Sequence, residues 1–366
     1  MNAGLPALTR YFLRLGSVGF GGPIALVGYM QRDLVGARGW FSEREFTDGL
    51  AFSQLMPGPL AAQLAVYLGW LRGRAMGATL AGLAFVAPSF VIVLAISLAY
   101  GRWGGLPWMR GAFYGIAAAV VAIIAKSAWK LARLALARDP VLWTLGAVNA
   151  AVVAALQAEI VWVVLASGAA VLAARRLSAH ASRPLALLAP AGLVPLAQVF
   201  WFFTKAGALV FGSGLAIVPY LYGGVVEQYG WLDDRQFLDA VAVSMITPGP
   251  VVITVVFMGY LAAGVPGGFA AALGVFLPVY LSVLLGARHF ERLARNSQVR
   301  AFVDGVTAAA TGAIAGAAFV LGRRAIDDMG AALIALAALV VLVAARRVPE
   351  PLVVLAAGVA GVYASP

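Results

Sequence analysis

Long apolar runs leave this chain few places to fold. Residues 78–100, 111–126, 141–174, 269–287 and 331–345 are almost free of charge, and short segments rich in Arg, Gly and Pro separate them. A bilayer crossing takes ~20 apolar residues, so runs of this kind predict membrane helices. With 63% of its 366 residues hydrophobic and 11% charged, the chain lacks the polar groups to cover a soluble fold. Leucine- and alanine-rich runs favour helices over the alternating strands of a membrane barrel. The expected class is an all-α polytopic membrane protein with roughly ten to twelve membrane helices.

Other classes fall away quickly. The first residues, MNAGLPALTRYFLRLGSVGFGGP, show no basic segment followed by an unbroken apolar core, so no removable signal is expected. Zero cysteines exclude disulfides and thiolate chemistry. His180 and His289 lie in arginine-bearing loops and read as polar loop residues, so no metal or other cofactor is expected. The net charge of +11 does not predict a nucleic-acid partner, because the arginines sit at the ends of apolar runs, as loop anchors beside a lipid bilayer do. Nucleotide-binding GxxxxGK[ST] and metal-binding HExxH motifs are absent, and no enzyme activity is expected.

The chain also repeats itself. Shifted by 191 residues, positions 12–59 meet positions 203–250 with 18 of 48 identical. The matches include Gly16 with Gly207, Phe20-Gly21 with Phe211-Gly212, Asp48 with Asp239, Ser53 with Ser244 and a whole Pro-Gly-Pro. Beyond it the offset slips to 190, pairing Pro88 with Pro278 and Gly115 with Gly305. Two tandem homologous halves follow, 1–185 and 190–366. The segment 72–77 carries two arginines against none in 264–268, while 288–300 carries four against two in 101–110. Opposite bias in equivalent loops is what inverted repeats produce, and such repeats build secondary-transporter sites at discontinuous helices.

Each half has two such discontinuities. GFGGP (19–23) matches VFGSG (210–214), and MPGP (56–59) matches TPGP (247–250). Pro57 and Pro59 lack an N–H and clash with carbonyls four residues back, so the helix must stop. Flanks of about a dozen residues, ~18 Å of helix, put the breaks near the midplane of a ~30 Å hydrocarbon core, in a re-entrant hairpin or a broken crossing. With Gly58 as cap, a new helix from Pro59 would leave the amides of Leu60, Ala61 and Ala62 without carbonyl partners, and residues 251–253 would offer the same from the second half. Free amides at a helix start form a generic oxyanion site; the alternative is that Pro and Gly merely kink packed helices.

The polar residues near the breaks complete the candidate set. Arg14 and Lys205 occupy equivalent positions and either pair with an anion or snorkel to the interface. Asp48 and Asp239 either couple transport to a proton or stabilise the start of their helices. Ser53, Gln54, Ser244 and Thr247 could donate to a ligand, although hydroxyls often bond back to their own helix. Lys126, deep after an apolar run, is a candidate pathway residue, and Glu159 and Asp304 stand alone.

These segments resemble the chromate ion transporter family, in its long, two-domain form. The resemblance rests on FLRLGSVGFGGPIALVGYM, GWFSEREFTDGLAFSQLMPGPLAAQLAVYLG, FTKAGALVFGSGLAIVPYL and WLDDRQFLDAVAVSMITPGPV, and spans essentially the whole chain. It implies a multi-pass protein of the bacterial plasma membrane that exports chromate, a dianion close to sulfate in shape, confers chromate resistance, and has two oppositely oriented domains. It also implies an energy source in the membrane potential or proton gradient. A sulfate-like oxyanion as substrate, a passive anion channel and a homodimeric assembly remain open. The substrate residues expected from the breaks and their polar neighbours are Arg14, Gly21, Gly22, Pro23, Ser53, Gln54, Pro57, Gly58 and Pro59 in the first half. In the second they are Lys205, Gly212, Ser213, Gly214, Ser244, Thr247, Pro248, Gly249 and Pro250. The second half departs from the first at GSG for GGP and at Thr247 for Met56.

Overall fold

A computed structural model describes residues 4–20, 22–104, 106–136, 139–156, 161–174, 195–209, 211–212, 217–290, 296–345 and 348–364. Among them are fourteen α-helices and one two-residue strand pair. The first half comprises α1 (Leu5–Val18), α2 (Gly22–Met30, continued by a π-helical turn Gln31–Ala37), α3 (Glu43–Leu55), α4 (Leu60–Trp103), α5 (Pro107–Ala135), α6 (Pro140–Leu156) and α7 (Val161–Ala174). The second repeats the order with α8 (Leu196–Leu209), α9 (Val218–Tyr222, with a π-helical turn Gly223–Gln228), α10 (Asp234–Ile246), α11 (Thr254–Gly286), α12 (Ser297–Ala325), α13 (Met329–Ala344) and α14 (Glu350–Ala364). Four helical stretches, Leu60–Trp103, Pro107–Arg133, Val251–His289 and Ser297–Ala325, are long and apolar enough to cross a bilayer.

The interrupted segments are re-entrant hairpins. α1 enters as far as Gly19 and α2 returns beside it, with Gly19 against Leu26 and the Tyr11 hydroxyl 3.5 Å from Asp33 Oδ2. α3 enters from the same end behind a capping box in which Ser42 and Glu45 satisfy each other's backbone amides. It stops at the Pro-Gly-Pro, and the first arm of α4 climbs back, placing Gly49 against Tyr67 and Glu45 3.1 Å from Arg72. Arg72 also donates to the Trp40 carbonyl and lies 4.1 Å over the Phe41 ring, so it clamps the mouth of the hairpins as well as anchoring a loop. Each arm of thirteen or fourteen residues is ~20 Å long, enough to reach mid-membrane but not to cross.

At Gly73–Arg74 α4 reverses, bringing Gly69 against Gly77 and Ala81. α11 reverses in the same way at Ala263–Gly264, bringing Gly259 against Gly267 and Ala271. Arg74 (φ 49°) and Gly264 (φ 64°) hold equivalent left-handed positions, which suit glycine and strain arginine. α1 lies along the second arm of α4 with Gly16 against the Phe85 carbonyl, and α8 lies along α11 with Gly207 against the Val275 carbonyl. A Cβ at either glycine would meet backbone, which explains why both halves keep glycine there.

The second arms of α4 and α11 pack against each other in opposite directions. Thr79 pairs with Tyr280 (2.7 Å), Phe90 with Phe269 (4.7 Å between rings) and Leu94 lies against Gly268, while Tyr260, just before the α11 reversal, meets Gly101. Equivalent spanning helices are therefore antiparallel, and the halves are inverted relative to each other. They also exchange their last hairpins. α6 and α7 pack on α12 of the second half, through Gly146 against Gly312 and Gly168 against Val306, while α13 and α14 pack on α5 of the first, through Gly115 against Gly361. Gly115 and Gly305, matched in the sequence, do the same work in each exchange: Gly305 lies against Ser167 and Gly168.

Ala75 and Val265 are exposed at the two reversals, at opposite ends of the molecule. Single cysteines at these positions, in a chain with none of its own, should be labelled by an impermeant maleimide from opposite sides of the membrane. Labelling from one side would contradict the inversion. Arg74→Gly should raise stability by about 1 kcal/mol through relief of the left-handed strain, less the part contributed by the Arg74 stack over Trp70 (4.6 Å), measured as the unfolding midpoint in detergent.

Candidate functional site

Each break finds a backbone hydrogen-bond partner in the other half. The first Pro-Gly-Pro forms a parallel bridge with the second half's glycine break, Gly58 opposite Phe211 and Pro59 opposite Gly212. Reciprocally, the Gly249 amide of the second Pro-Gly-Pro donates to the Gly19 carbonyl of the first half's break at 2.8 Å. Irregular backbone cannot face lipid unpaired, and here four broken segments close on one another. Gly58 (φ 139°) and Gly249 (φ 97°) hold backbone that side chains resist, and their open faces are filled from across the interface. Gly58 sits against Val279 of α11 and the side chain of Gln63, and Gly249 against Ser89 of α4. Ser89 is the central residue of the arm 75–103, fourteen residues from either end, so this junction lies at mid-span.

The helix after the first break begins at Leu60 with Pro59, not Gly58, as its cap. No side chain caps it, and Leu60, Ala61 and Ala62 are buried. The second half has one residue fewer between Pro250 and Gly259 than the first has between Pro59 and Gly69, and its helix starts with a 3₁₀ turn, Val251–Ile253, in which Ile253 N–H bonds Pro250 O. Gln63 sits one turn into α4, completely buried; its amide nitrogen donates to the Pro57 carbonyl (2.7 Å) and to Ser282 (3.2 Å), while Oε1 has no partner among the described residues. Gln63 had no sequence signal beyond a polar residue inside an apolar run four positions after the proline.

The remaining candidates divide. Ser53, Ser244 and Thr247 are buried and donate back to the carbonyls of Gly49, Val241 and Val243 in their own helices, while Gln54 is exposed. Gly22 (φ 73°) and Pro23 start α2, and Pro248 and Pro250 flank Gly249 at the junction. Lys126 pairs with Glu350 at the start of α14 (3.3 Å), an ion pair between the halves. Asp48 is half exposed beside Arg44, whereas Asp239 is buried. Gly21, Ser213, Gly214, Glu159 and His180 lie outside the described residues.

Arg14 is exposed in a cleft of about 400 Å³ between α1 and α2, lined also by Arg32, Arg38, Asp33 and Tyr11, with Gly19 at its inner edge. Arg32 pairs with Asp33 (2.9 Å), and Arg38 stacks on Trp40 (4.6 Å). Arg32 lies within the π-helical turn and Arg38 caps it, and both were missed in the sequence because only the tertiary fold brings them beside Arg14. The same groove in the second half is filled. Phe202, at the place of Tyr11, stacks on Tyr220 (5.3 Å) and meets Tyr229 and Trp231 edge-on (5.6 Å each), and the equivalents of Arg32 and Arg38 are Gly223 and Tyr229. One half thus offers a cationic cleft ending at the junction, and the other an aromatic plug.

A family model for chromate transporters matches residues 6–172 and 197–362. The chain is 51% identical to a chromate transport protein of Cupriavidus metallidurans, over 99% of this chain and 94% of that one. It is 51% identical to a probable chromate transport protein of Synechococcus elongatus, over 98% and 95%. A chromate transport protein of Pseudomonas aeruginosa is 33% identical over 98% of this chain and 87% of its own. No solved structure matches the chain.

Gly249→Ala should lower solute flux at unchanged membrane abundance, because the new methyl strains a left-handed residue and strikes the Ser89 hydroxyl. Adding Ser89→Ala removes that oxygen and should recover part of the loss, several-fold in rate. Recovery would show that the two halves meet here in the working protein; equal losses with and without Ser89→Ala would show that they do not.

Proposed function

The chain belongs to the chromate transporter family, and from that premise we propose that it carries chromate outward across the plasma membrane of a bacterium as a secondary transporter, and so confers chromate resistance. The observation that carries this reading is the reciprocal closure of the four breaks at mid-span, where a tetrahedral dianion would meet helix-start amides from both inverted halves. Partial charges at helix ends hold a dianion without trapping it as several fixed cations would. The residues proposed to bind it are those of the two glycine breaks and the two Pro-Gly-Pro segments, with Arg14 as the first cation it meets.

Charge supports the direction. The end of the molecule where α1 and α3 begin carries Arg10, Arg14, Arg32, Arg38, Arg44, Arg72 and Arg74, and is reached by Lys130, Arg133 and Arg288. The opposite end carries fewer, Arg102, Arg110, Lys205, Arg235, Arg323 and Arg324, while acidic residues occur at both, among them Glu43, Glu45 and Asp48 at the first and Asp233, Asp234 and Asp327 at the second. Lys and Arg concentrate on the cytoplasmic side of membrane proteins. The open cleft then faces the cytoplasm, where an exporter loads, and the plugged groove faces outward. Rocking of one half against the other, which would open the outer groove as the inner one closes, completes the cycle.

Uptake of radiolabelled chromate into everted vesicles tests this directly: saturable, gradient-dependent uptake supports the reading, and ohmic single-channel currents would sink it. Unlabelled sulfate should compete if the site reads shape and charge. Arg14→Gln should raise KM by roughly tenfold with little change in kcat, as expected of a residue that attracts substrate before the rate-limiting movement. Lys205→Gln, at the equivalent exposed position of the half whose groove is filled, should do much less.

A further inference from the structure

Asp48 and Asp239 hold the same place in the two halves, yet the fold treats them differently. The Asp48 side chain is 47% exposed and lies 3.9 Å from Arg44. Asp239 is 1% exposed, and its Oδ2 accepts a 2.7 Å hydrogen bond from the hydroxyl of Tyr100, which belongs to the other half. Asp48 lacks that partner because position 290, the equivalent of Tyr100, is Phe290, whose ring packs edge-on against Phe52 at 5.8 Å. Tyr100 is held between Phe113 (5.4 Å) and Phe257 (5.0 Å), which aim its hydroxyl at the carboxylate.

No cation sits within ion-pair distance of Asp239 among the described residues. Arg235, one turn nearer the start of α10, and Asp233 act on it from a greater distance. α5, α11, α12 and α14 also pack on α10; Arg324 of α12 reaches it at Asp234, five residues before Asp239, and no further ionisable side chain acts on Asp239 itself among the described residues. A buried carboxylate with one neutral donor is costly to keep charged, and its bond to that donor is about twice as strong when charged as when neutral. Asp239 lies five residues inside the start of α10, roughly 8 Å along the helix from the end that the transport reading places outside.

We propose that Asp239 is the proton-coupling site of the transporter: it takes up one proton from the outer side, and the resulting carboxylic acid releases the Tyr100 clasp between the halves. The step is balanced by a proton alone, with carboxylate and H⁺ giving the acid, and the reverse transfer resetting the clasp after the halves have moved. The duplication supplied two carboxylates, but only the second half retains a functional pair. The proposal rests on the transport reading above, and the two fail separately in the same experiment.

The test uses the full chain in everted vesicles, with chromate counterflow without a gradient and chromate uptake on acidifying the lumen. Wild-type uptake should rise several-fold with the gradient. Asp239→Asn should keep counterflow and lose that stimulation, Tyr100→Phe should lose most of it, and Asp48→Asn should respond as wild type. Full stimulation in both Asp239→Asn and Tyr100→Phe at wild-type abundance would overturn the proposal, as would loss of stimulation in Asp48→Asn equal to that in Asp239→Asn. Should Asp239→Asn fail to reach the membrane, Tyr100→Phe, which removes one oxygen, decides alone. Wild-type counterflow reports on transport itself, so lost coupling with counterflow intact bears on Asp239 only.

Discussion

A broken helix in hydrocarbon exposes backbone amides and carbonyls that no lipid can satisfy, and the architecture of this protein follows from where those groups go. The Gly249 amide closes on the Gly19 carbonyl, and Gly58–Pro59 pairs with Phe211–Gly212. Gln63 serves the Pro57 carbonyl from within its own half, but each of the four breaks also takes a backbone partner from the other half, and that joins the halves at mid-span. The glycines at Gly58 and Gly249 allow backbone geometry that other residues resist, and Val279 and Ser89 fill the space beside them.

The rest of the packing enforces that meeting. Antiparallel contact of the long arms of α4 and α11 sets the inversion, and exchange of α6–α7 for α13–α14 ties each half's outer helices to the other's spanning helix. Between apolar helices in lipid, close approach supplies much of the attraction, and small residues allow it. That is the role of Gly16 and Gly207 within each half, and of Gly115, Gly146, Gly305 and Gly312 between halves. The Lys126–Glu350 pair adds a polar tie across the same boundary.

Directional transport needs the two sides of an inverted pair to differ, and the divergence is concentrated in a few side chains on a duplicated backbone. Arg14, Arg32 and Arg38 line an open cleft where the second half packs Phe202, Tyr220 and Tyr229. Tyr100 clasps Asp239 where Phe290 leaves Asp48 to Arg44. Ser89 faces one Pro-Gly-Pro and Val279 the other. Among the described residues, Gln63 places a buried acceptor without a hydrogen-bond partner beside the first break.

What the sequence determined by itself is local or periodic: the membrane class from apolar runs, the duplication from the fixed offset, the helix stops from proline chemistry, and the inversion from loop charge. Proline ends a helix whatever surrounds it, so Pro57 and Pro248 were legible as breaks. Whether a break is re-entrant or a crossing depends on what the next segment packs against, and that required the contacts of Gly19 with Leu26 and of Gly49 with Tyr67. The hydroxyls of Ser53, Ser244 and Thr247 are of the right type near the breaks, yet they donate to carbonyls one turn back in their own helices, as buried serines and threonines in helices often do. Asp48 and Asp239 are indistinguishable in the repeat. Only the tertiary structure separates them, because burial and a hydrogen bond from a residue 139 positions away are properties of the packed halves and not of the segment that carries the carboxylate.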